Sequence, residues 1–201
     1  MAQPEDLALK RDIESRLELL NERLFFFSHF PLLPPNNNNN NTINDRQLLR
    51  LELVQGSNVL MEACRFARAN VICAELGVSE LVECDDFDFH CTHLVAMLGD
   101  DIIGGVRMSL QHYDNAPCAL VDRVFIAPRY RNNGLARRLM GSAVEASGSM
   151  RFFVAIPTHY SANLIHSFHA KLSSDSRFHS ISASSFTYLA ENTPVFECIR
   201  T

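Results

Sequence analysis

The sequence lacks three features that would each point to a particular class of protein. Its longest apolar runs are far shorter than the roughly 20 residues that a membrane-spanning helix needs. It has no excess of positive charge, because the formal net charge is -5, so there is no general basic surface for nucleic acid. The chain also begins without the pattern of a secretory signal peptide. We therefore expect a cytoplasmic protein that neither inserts stably into a membrane nor binds nucleic acid.

Cysteine is present, but its spacing is not typical of a bound metal or a disulfide framework. The six cysteines contain no C-x-x-C pair and no zinc spacing: Cys64, Cys73, Cys84, Cys91, Cys118 and Cys198. We expect reduced thiols, as in the cytosol, and no metal site. No positioned histidine marks any of them as a nucleophile.

The chain has enough apolar residues for a sizeable core, since 47% of its 201 residues are hydrophobic. This length fits one catalytic domain with an extension. Residues 1–30 predict an N-terminal amphipathic helix, which packs on the domain or forms a homodimer contact. Its apolar residues recur at three- and four-residue steps: Ile13, Leu17, Leu20, Leu24 and Phe27. Residues 31–44, rich in proline and asparagine, predict a linker, so the folded domain is expected over 45–201.

Within that domain, strand and helix patterns alternate, as in an α/β or α+β fold. Strands are predicted at 94–97, 101–110, 119–127, 151–156, 178–189 and 194–200, and helices at 57–77, 134–147 and 163–172. Residues 47–55 fit either a first strand or the start of a helix. Gly99 and Asp100 predict a hairpin turn. The nearly pure apolar run Arg151–Ile156 predicts a central strand.

The segment from Val124 to Leu139 carries the strongest indication of chemistry. An apolar strand leads into a glycine-containing turn and then an amphipathic helix, which directs several backbone N–H groups at one anion. Gly134 and Ala136 permit close approach of the main chain to a ligand. Arg131 adds a guanidinium suited to phosphate oxygens. We predict that this turn holds a diphosphate through Arg131, Asn132, Asn133, Gly134, Leu135 and Ala136.

With Pro128 three positions before Arg131, this segment resembles the acyl-CoA loop of the GCN5-related N-acetyltransferase (GNAT) superfamily. That loop has Arg or Gln, two residues, Gly, one residue, then Gly or Ala. The order of predicted elements from about residue 47 onward matches the superfamily as well. The resemblance implies a GNAT-like fold with a mixed central sheet flanked by helices, and acetyl-CoA or a longer acyl-CoA as co-substrate. It also implies that a bulged strand holds the pantetheine and polarises the thioester through backbone N–H groups around Val124, Phe125 and Ile126.

Four earlier segments carry a second resemblance: 68–77, 85–88, 93–96 and 105–108. They resemble the acyl-homoserine-lactone synthases and the related N-acyl amino acid synthases, which move an acyl chain from acyl carrier protein or CoA to an amino-acid-like amine. The resemblance implies functional roles for Arg68, Asp85, Asp88, Arg107 and Arg123. Ile72 replaces their usual aromatic residue, and Leu120 replaces a glutamate. These departures favour a general N-acyltransferase over homoserine-lactone synthesis.

The same charged residues can be interpreted without a family. Asp85 and Asp88 are suited to bind a cationic amine and accept its proton, or else they cap a solvated turn. Arg107 and Arg123 lie in apolar strands, where a charge is costly unless it is paired or faces a cleft. Structural ion pairs with Asp85, Asp88 or Asp122 are therefore the alternative to a catalytic role.

The acid that reprotonates the thiolate leaving group has two candidates. Residues 168–172 resemble the segment that carries a catalytic tyrosine in many acetyltransferases, with His169 in its place, and Tyr160 lies nearby in the sequence. We predict an N-acyltransferase that acts on a small amine. Two other functions stay open: a non-catalytic acyl-CoA-binding sensor, and a protein or peptide N-acetyltransferase whose acceptor groove is lined by polar residues of 158–169.

Overall fold

The computed structural model describes residues 49–157, 169, 172–186, 189 and 192–199. The predicted N-terminal helix (1–30), the predicted linker (31–44), Tyr160 and most of the predicted helix 163–172 lie outside these residues. Within the described ranges, no helix is both long enough and apolar enough to cross a membrane.

One seven-stranded sheet forms the centre of the described structure, with the spatial order β1-β2-β3-β4-β5-β7-β6. Its strands are β1 (Leu49–Gln55), β2 (Thr92–Leu98), β3 (Asp101–Tyr113), β4 (Ala116–Ile126), β5 (Arg151–Ala155), β6 (Phe178–Ile181) and β7 (Val195–Cys198). Neighbouring strands are antiparallel except β4 and β5, which are parallel. The parallel pair needs a crossover, which a helix supplies.

The α-helices whose bounds lie within the described ranges are α1 (Val59–Leu76), α2 (Glu80–Glu83) and α3 (Leu135–Ala146). Helix α1 begins after Asn58, whose side chain accepts a hydrogen bond from the backbone N–H of Met61 at 2.9 Å. It ends at Gly77, which adopts the left-handed conformation with φ of 65°. Short 3₁₀ turns cover Asp86–His90, Pro128–Tyr130 and Ala183–Ser185.

Apolar clusters cover both faces of the sheet. Alternate residues of the strands point to opposite faces, so Val95 packs in the cluster that contains α1, whereas Leu94 packs in the cluster that contains α3. Met61 and Ile72 of α1 are buried in the first of these clusters, and Leu139 of α3 is buried in the second. The central strands are consequently apolar on both faces, which explains the nearly continuous hydrophobic run of β5.

This architecture confirms the predicted mixed α/β fold and most of its elements. Residues 49–55 form a strand rather than the start of a helix. The predicted strand 178–189 is wrong beyond Ile181, because Ser182 accepts a hydrogen bond from the backbone N–H of Ser184 and starts a 3₁₀ turn. Serine side chains compete in this way with the hydrogen bonds of a strand.

Candidate active site

Strand β4 contains a β-bulge immediately before the predicted donor site. Gly105 pairs with Phe125 and Arg107 pairs with Asp122, so three steps along β4 match two steps along β3. Arg123 lies within this interval with φ of 51°, a left-handed conformation that is uncommon for a residue with a side chain. The bulged strand that the superfamily resemblance implied is therefore present.

A cavity opens where β4 and β5 stop pairing. The two strands pair from Cys118 and Arg151 to Val121 and Val154, and the register goes no further. The cavity beyond this point has a volume of about 1070 Å³. Its apolar lining includes Val124, Met140, Val144, Ile156, Leu172 and Phe178. A cavity of this size and character suits a small organic ligand with an apolar portion.

The turn after β4 leads into the N-terminus of α3. Asn132 and Gly134 have φ of 64° and 76°, and Gly134 is the N-cap, where no side chain bonds the first N–H groups of the helix. Those N–H groups have no acceptor inside the helix and can bind an anion. A Cβ on Gly134 would meet no protein atom within 4 Å. Within the protein, its backbone conformation, rather than crowding, therefore favours glycine. Ala136, in the first turn of α3, lines the cavity.

Arg131 contacts protein groups on both sides of this turn. Its Nε donates to the backbone oxygen of Ile126 at 3.0 Å, and its Nη2 donates to the carboxylate of Glu75 at 2.8 Å. The side chain of Arg131 is 41% exposed. Arg131 thus joins the loop to the last turn of α1. No pattern in the sequence had marked Glu75 as a site residue.

The structure brings the five charged residues of the second resemblance into one cluster. We call it the charged network; it consists of four arginines and four carboxylates: Arg65, Arg68, Arg107, Arg123, Glu83, Asp85, Asp88 and Asp122. These side chains come from α1, from the segment between α1 and β2, and from β3 and β4. The formal charges balance, which allows so many ionised groups to share a buried site.

Asp88 lies at the centre of the charged network and is 0% exposed. Its carboxylate accepts hydrogen bonds from Arg68 at 2.7 Å and from Arg107 at 3.1 Å. Burial alone would raise the pKa of Asp88, but the hydrogen bond from Arg68 and the charges of both arginines outweigh burial and hold the pKa below its ordinary value. Asp88 is thus ionised at neutral pH and paired with arginine.

His93 adjoins the charged network and was not predicted as a site residue. Its Nε2 lies 3.1 Å from the backbone oxygen of Asp88. Burial, together with the positive charge of Arg68, lowers the pKa of His93 to about 4, although the Asp88 carboxylate opposes the shift. His93 is therefore neutral at pH 7. Its place in the buried apolar run of β2 is the sequence signal that marks it as an enclosed histidine.

The predicted acid candidate His169 is exposed and stands apart from these contacts. Its Nδ1 lies 3.2 Å from Ser173 Oγ, and its ring meets the ring of Phe196 edge-on at a centroid distance of 5.0 Å.

No group of side chains with the composition of a metal site occurs among the described residues. Burial raises the pKa of Cys64, Cys91 and Cys118 to about 12, so these thiols stay protonated.

The profile of the Acetyltransferase (GNAT) family matches residues 59–171. The match extends from α1 through the bulge, the Gly134 turn and α3, and it covers more than half of the chain. The chain belongs to the acetyltransferase (GNAT) family. It is accordingly an N-acyltransferase of the GNAT type, a family that uses acetyl-CoA or acyl-CoA as co-substrate.

Solved structures share this fold at low sequence identity. Escherichia coli ElaA is 12% identical with a TM-score of 0.53, and 76% of this chain and 99% of that chain are covered. A putative N-acetyltransferase from Lactobacillus plantarum is 21% identical with a TM-score of 0.52, over 74% and 94% of the two chains. An acyl-CoA N-acyltransferase from Pseudomonas aeruginosa is 14% identical with a TM-score of 0.52, over 75% and 99%. A comparison with curated protein sequences finds no match.

Proposed function

We propose that this chain transfers an acyl group from acyl-CoA to the amine of a small, amino-acid-like acceptor. The observation that carries the proposal is one cavity that joins the two halves of a donor site. Val124 of the bulged strand and Ala136 of the first turn of α3 both line it. A diphosphate bound at the Gly134 turn would lead its pantetheine toward the bulge, and the apolar lining would receive the acyl chain.

The reaction forms an N–C bond and breaks a C–S bond. The acceptor ammonium must first lose a proton, and its nitrogen then attacks the thioester carbonyl. The tetrahedral intermediate loses a second proton from that nitrogen, and the thiolate leaves and takes up a proton. Backbone N–H groups at Val124, Phe125 and Ile126 are our candidates to stabilise the tetrahedral oxyanion. His169 and Tyr160 remain our two candidates for the acid. The exposure of the His169 side chain supports its access to a bound thiol.

The charged network supports an acceptor that carries both an ammonium and a carboxylate. Asp85, whose side chain is 36% exposed, is the carboxylate we assign to the acceptor ammonium. It contacts Arg107 at 2.7 Å and Arg123 at 3.2 Å, so guanidinium groups that attract a carboxylate lie beside it. We propose that the fully buried Asp88 orients these arginines. The resemblance to the N-acyl amino acid synthases, which is narrower than the resemblance to the GNAT superfamily, rests on the charged residues of this network.

A turnover screen tests the proposal. Purified protein is incubated with acyl-CoA donors from acetyl to long-chain and with a panel of amino acids and polyamines. Release of free CoA thiol is measured together with the mass of any acylated product. We expect acceptor-dependent thiol release and an N-acyl amino acid. Donor binding without turnover would favour a sensor, and acylation confined to added peptides would favour a protein N-acetyltransferase.

The identity of the acyl carrier is tested with the same assay. Acyl carrier protein loaded with the preferred acyl group replaces acyl-CoA at equal concentration. Because acyl carrier protein presents the acyl group on phosphopantetheine and lacks the adenosine part of CoA, comparable kcat/KM with both donors would mean that the adenosine part contributes little to recognition. The predicted homodimer through residues 1–30 is tested separately, by light scattering of the full chain.

A further inference from the structure

The bulge in β4 places two consecutive side chains on the same face of the sheet. Successive residues of a regular strand point to opposite faces, yet Asp122 and Arg123 both join the charged network. The next residue, Val124, lines the cavity, and Phe125 returns to the cluster that contains α1. In an unbulged strand, Arg123 and Val124 would each point to the opposite face.

The side chain of Arg123 is anchored on the segment just before β2. Its Nη2 donates to the Asp85 carboxylate at 3.2 Å and to the backbone oxygen of Val82 at 3.3 Å. Its Nε lies 3.9 Å from the carboxylate of Glu83. Arg123 is 7% exposed. These contacts tie the one residue with positive φ in β4 to a separate part of the chain.

We infer that Arg123 is a positioning residue of the transfer reaction, because its anchored guanidinium maintains the bulge and so fixes the backbone N–H of Val124 beside the thioester. This inference rests on the proposed function. Arg123 acts through the backbone and does not touch the acyl group. Asp85 therefore has two roles: its exposed part binds the acceptor, and within the charged network it accepts hydrogen bonds from Arg107 and Arg123.

Replacing Arg123 with glycine separates the effect of its left-handed backbone conformation from the effect of its anchored side chain. At φ of 51°, glycine adopts the backbone conformation more readily than arginine does. If only backbone conformation mattered, Arg123→Gly would be neutral or beneficial. If the anchor matters, Arg123→Gly frees the bulge and lowers the rate of transfer.

The experiment compares Arg123→Gly, Arg123→Lys and the control Arg65→Gln. Arg65 belongs to the same network, since its Nε lies 3.4 Å from Asp88, but it lies in α1 and not in the bulge. For each variant we measure kcat, the KM for acyl-CoA, the Kd for CoA and the Tm. The backbone ¹⁵N–¹H resonance of Val124 is recorded with and without CoA.

For Arg123→Gly we expect kcat to fall about 10- to 100-fold, the scale of a displaced oxyanion donor, with nearly unchanged Kd for CoA. The CoA-induced shift of the Val124 resonance should shrink. Arg123→Lys should recover part of kcat and part of the Val124 shift, because lysine retains a positive charge that Asp85 can bind. Arg65→Gln should lower Tm and leave the Val124 shift unchanged, and its kcat should fall much less than that of Arg123→Gly.

Wild-type kcat and a wild-type Val124 shift in Arg123→Gly would overturn the inference. Equal losses of kcat in Arg123→Gly and Arg65→Gln would also overturn it, since they would reflect general destabilisation. If the wild-type protein binds CoA without turnover, the proposed function fails, and the Val124 resonance alone decides the inference. A shift that is reduced in Arg123→Gly, partly restored in Arg123→Lys and unchanged in Arg65→Gln would support the anchor, and equal shifts in all variants would refute it.

Discussion

The guanidinium of Arg107 donates two parallel hydrogen bonds to the carboxylate of Asp122, each at 2.7 Å. The two residues lie opposite each other on β3 and β4. The remaining nitrogen of the same guanidinium contacts Asp85 at 2.7 Å and Asp88 at 3.1 Å. One buried arginine thus joins two central strands to the segment before β2. Because Asp122 directly precedes the bulged Arg123, the charged network and the donor site share a stretch of backbone.

The first prediction concerns the centre of this network. Asp88→Asn should lower the free energy of unfolding by about 3–5 kcal/mol, because it leaves buried arginine charge without its partner. Chemical denaturation measures the change. The control is Glu62→Gln, whose side chain is 58% exposed and 3.6 Å from Arg65; it should cost less than about 1 kcal/mol. Wild-type stability of Asp88→Asn with turnover reduced at least ~10-fold would instead give Asp88 a catalytic role.

The second prediction is a pH dependence of stability that is due to His93. Its pKa in the folded protein is about 4, below the ordinary 6.5, so the unfolded chain takes up a proton first as the pH falls. Stability should therefore be complete above about pH 6.5 and decline down to about pH 4, by up to roughly 3 kcal/mol at about 1.4 kcal/mol per pKa unit.

Denaturant unfolding across this pH range tests the His93 prediction with the His93→Gln variant. Glutamine can still donate to the Asp88 backbone oxygen but does not titrate. The free energy of unfolding of this variant should therefore change less between pH 6.5 and 4 than that of the wild-type protein. The lowered pKa values of Asp88 and Asp122 act at lower pH, since their stabilisation is lost only as the pH falls below the ordinary aspartate value of 3.8. If the free energies of unfolding of the wild-type protein and of His93→Gln change with pH in the same way, His93 is not the titrating group.

The third prediction concerns the Gly134 turn. Gly134→Glu should abolish acyl-CoA binding, because the new carboxylate repels the diphosphate. The fold should persist at a lower stability, because a Cβ here meets no protein atom within 4 Å but is strained at φ of 76°. Isothermal titration with CoA, together with circular dichroism, gives both results. The matched control is Arg129→Glu: Arg129 is held against the Tyr130 ring at 4.9 Å, so this variant should lose much less affinity. Equal losses would show that overall charge, rather than the turn, governs binding.

Much of the fold could be predicted from the sequence because strands β2 to β5 and helix α3 carry clear local patterns. From the sequence, Arg107 had to be either paired or facing a cleft, because a strand of apolar residues cannot bury a lone charge; the structure pairs it with Asp85, Asp88 and Asp122. The bulge at Arg123 followed only from the resemblance, since nothing in the residues around it requires a left-handed arginine.

Long-range contacts account for most of what the sequence did not predict. Glu75 and Arg131 are 56 positions apart, and only the folded chain shows that the carboxylate of one meets the guanidinium of the other. Glu83 joins the charged network from a helix of four residues, too short to show a periodic pattern. The strand error after Ile181 arose because serine side chains there bond the nearby backbone.

The fourth prediction follows from the contact between Glu75 and Arg131. Glu75→Gln should raise the affinity for CoA by about 2- to 5-fold, the range that corresponds to the energy of an exposed ion pair, because Arg131 becomes available to phosphate. The gain should disappear at high salt, where exposed charges are screened. Isothermal titration at low and high salt measures both effects. A lower affinity at low salt would mean that Glu75 instead holds the turn in its binding conformation.

Mass spectrometry of the reaction mixture in the turnover screen decides whether the protein transfers an acyl group to a small amine. With acyl-CoA and the panel of amino acids and polyamines, we expect an acceptor that gains the mass of the acyl group at the amine, with one free CoA thiol released for each product molecule. A protein that binds acyl-CoA but yields neither acylated acceptor nor released thiol would contradict the proposed function.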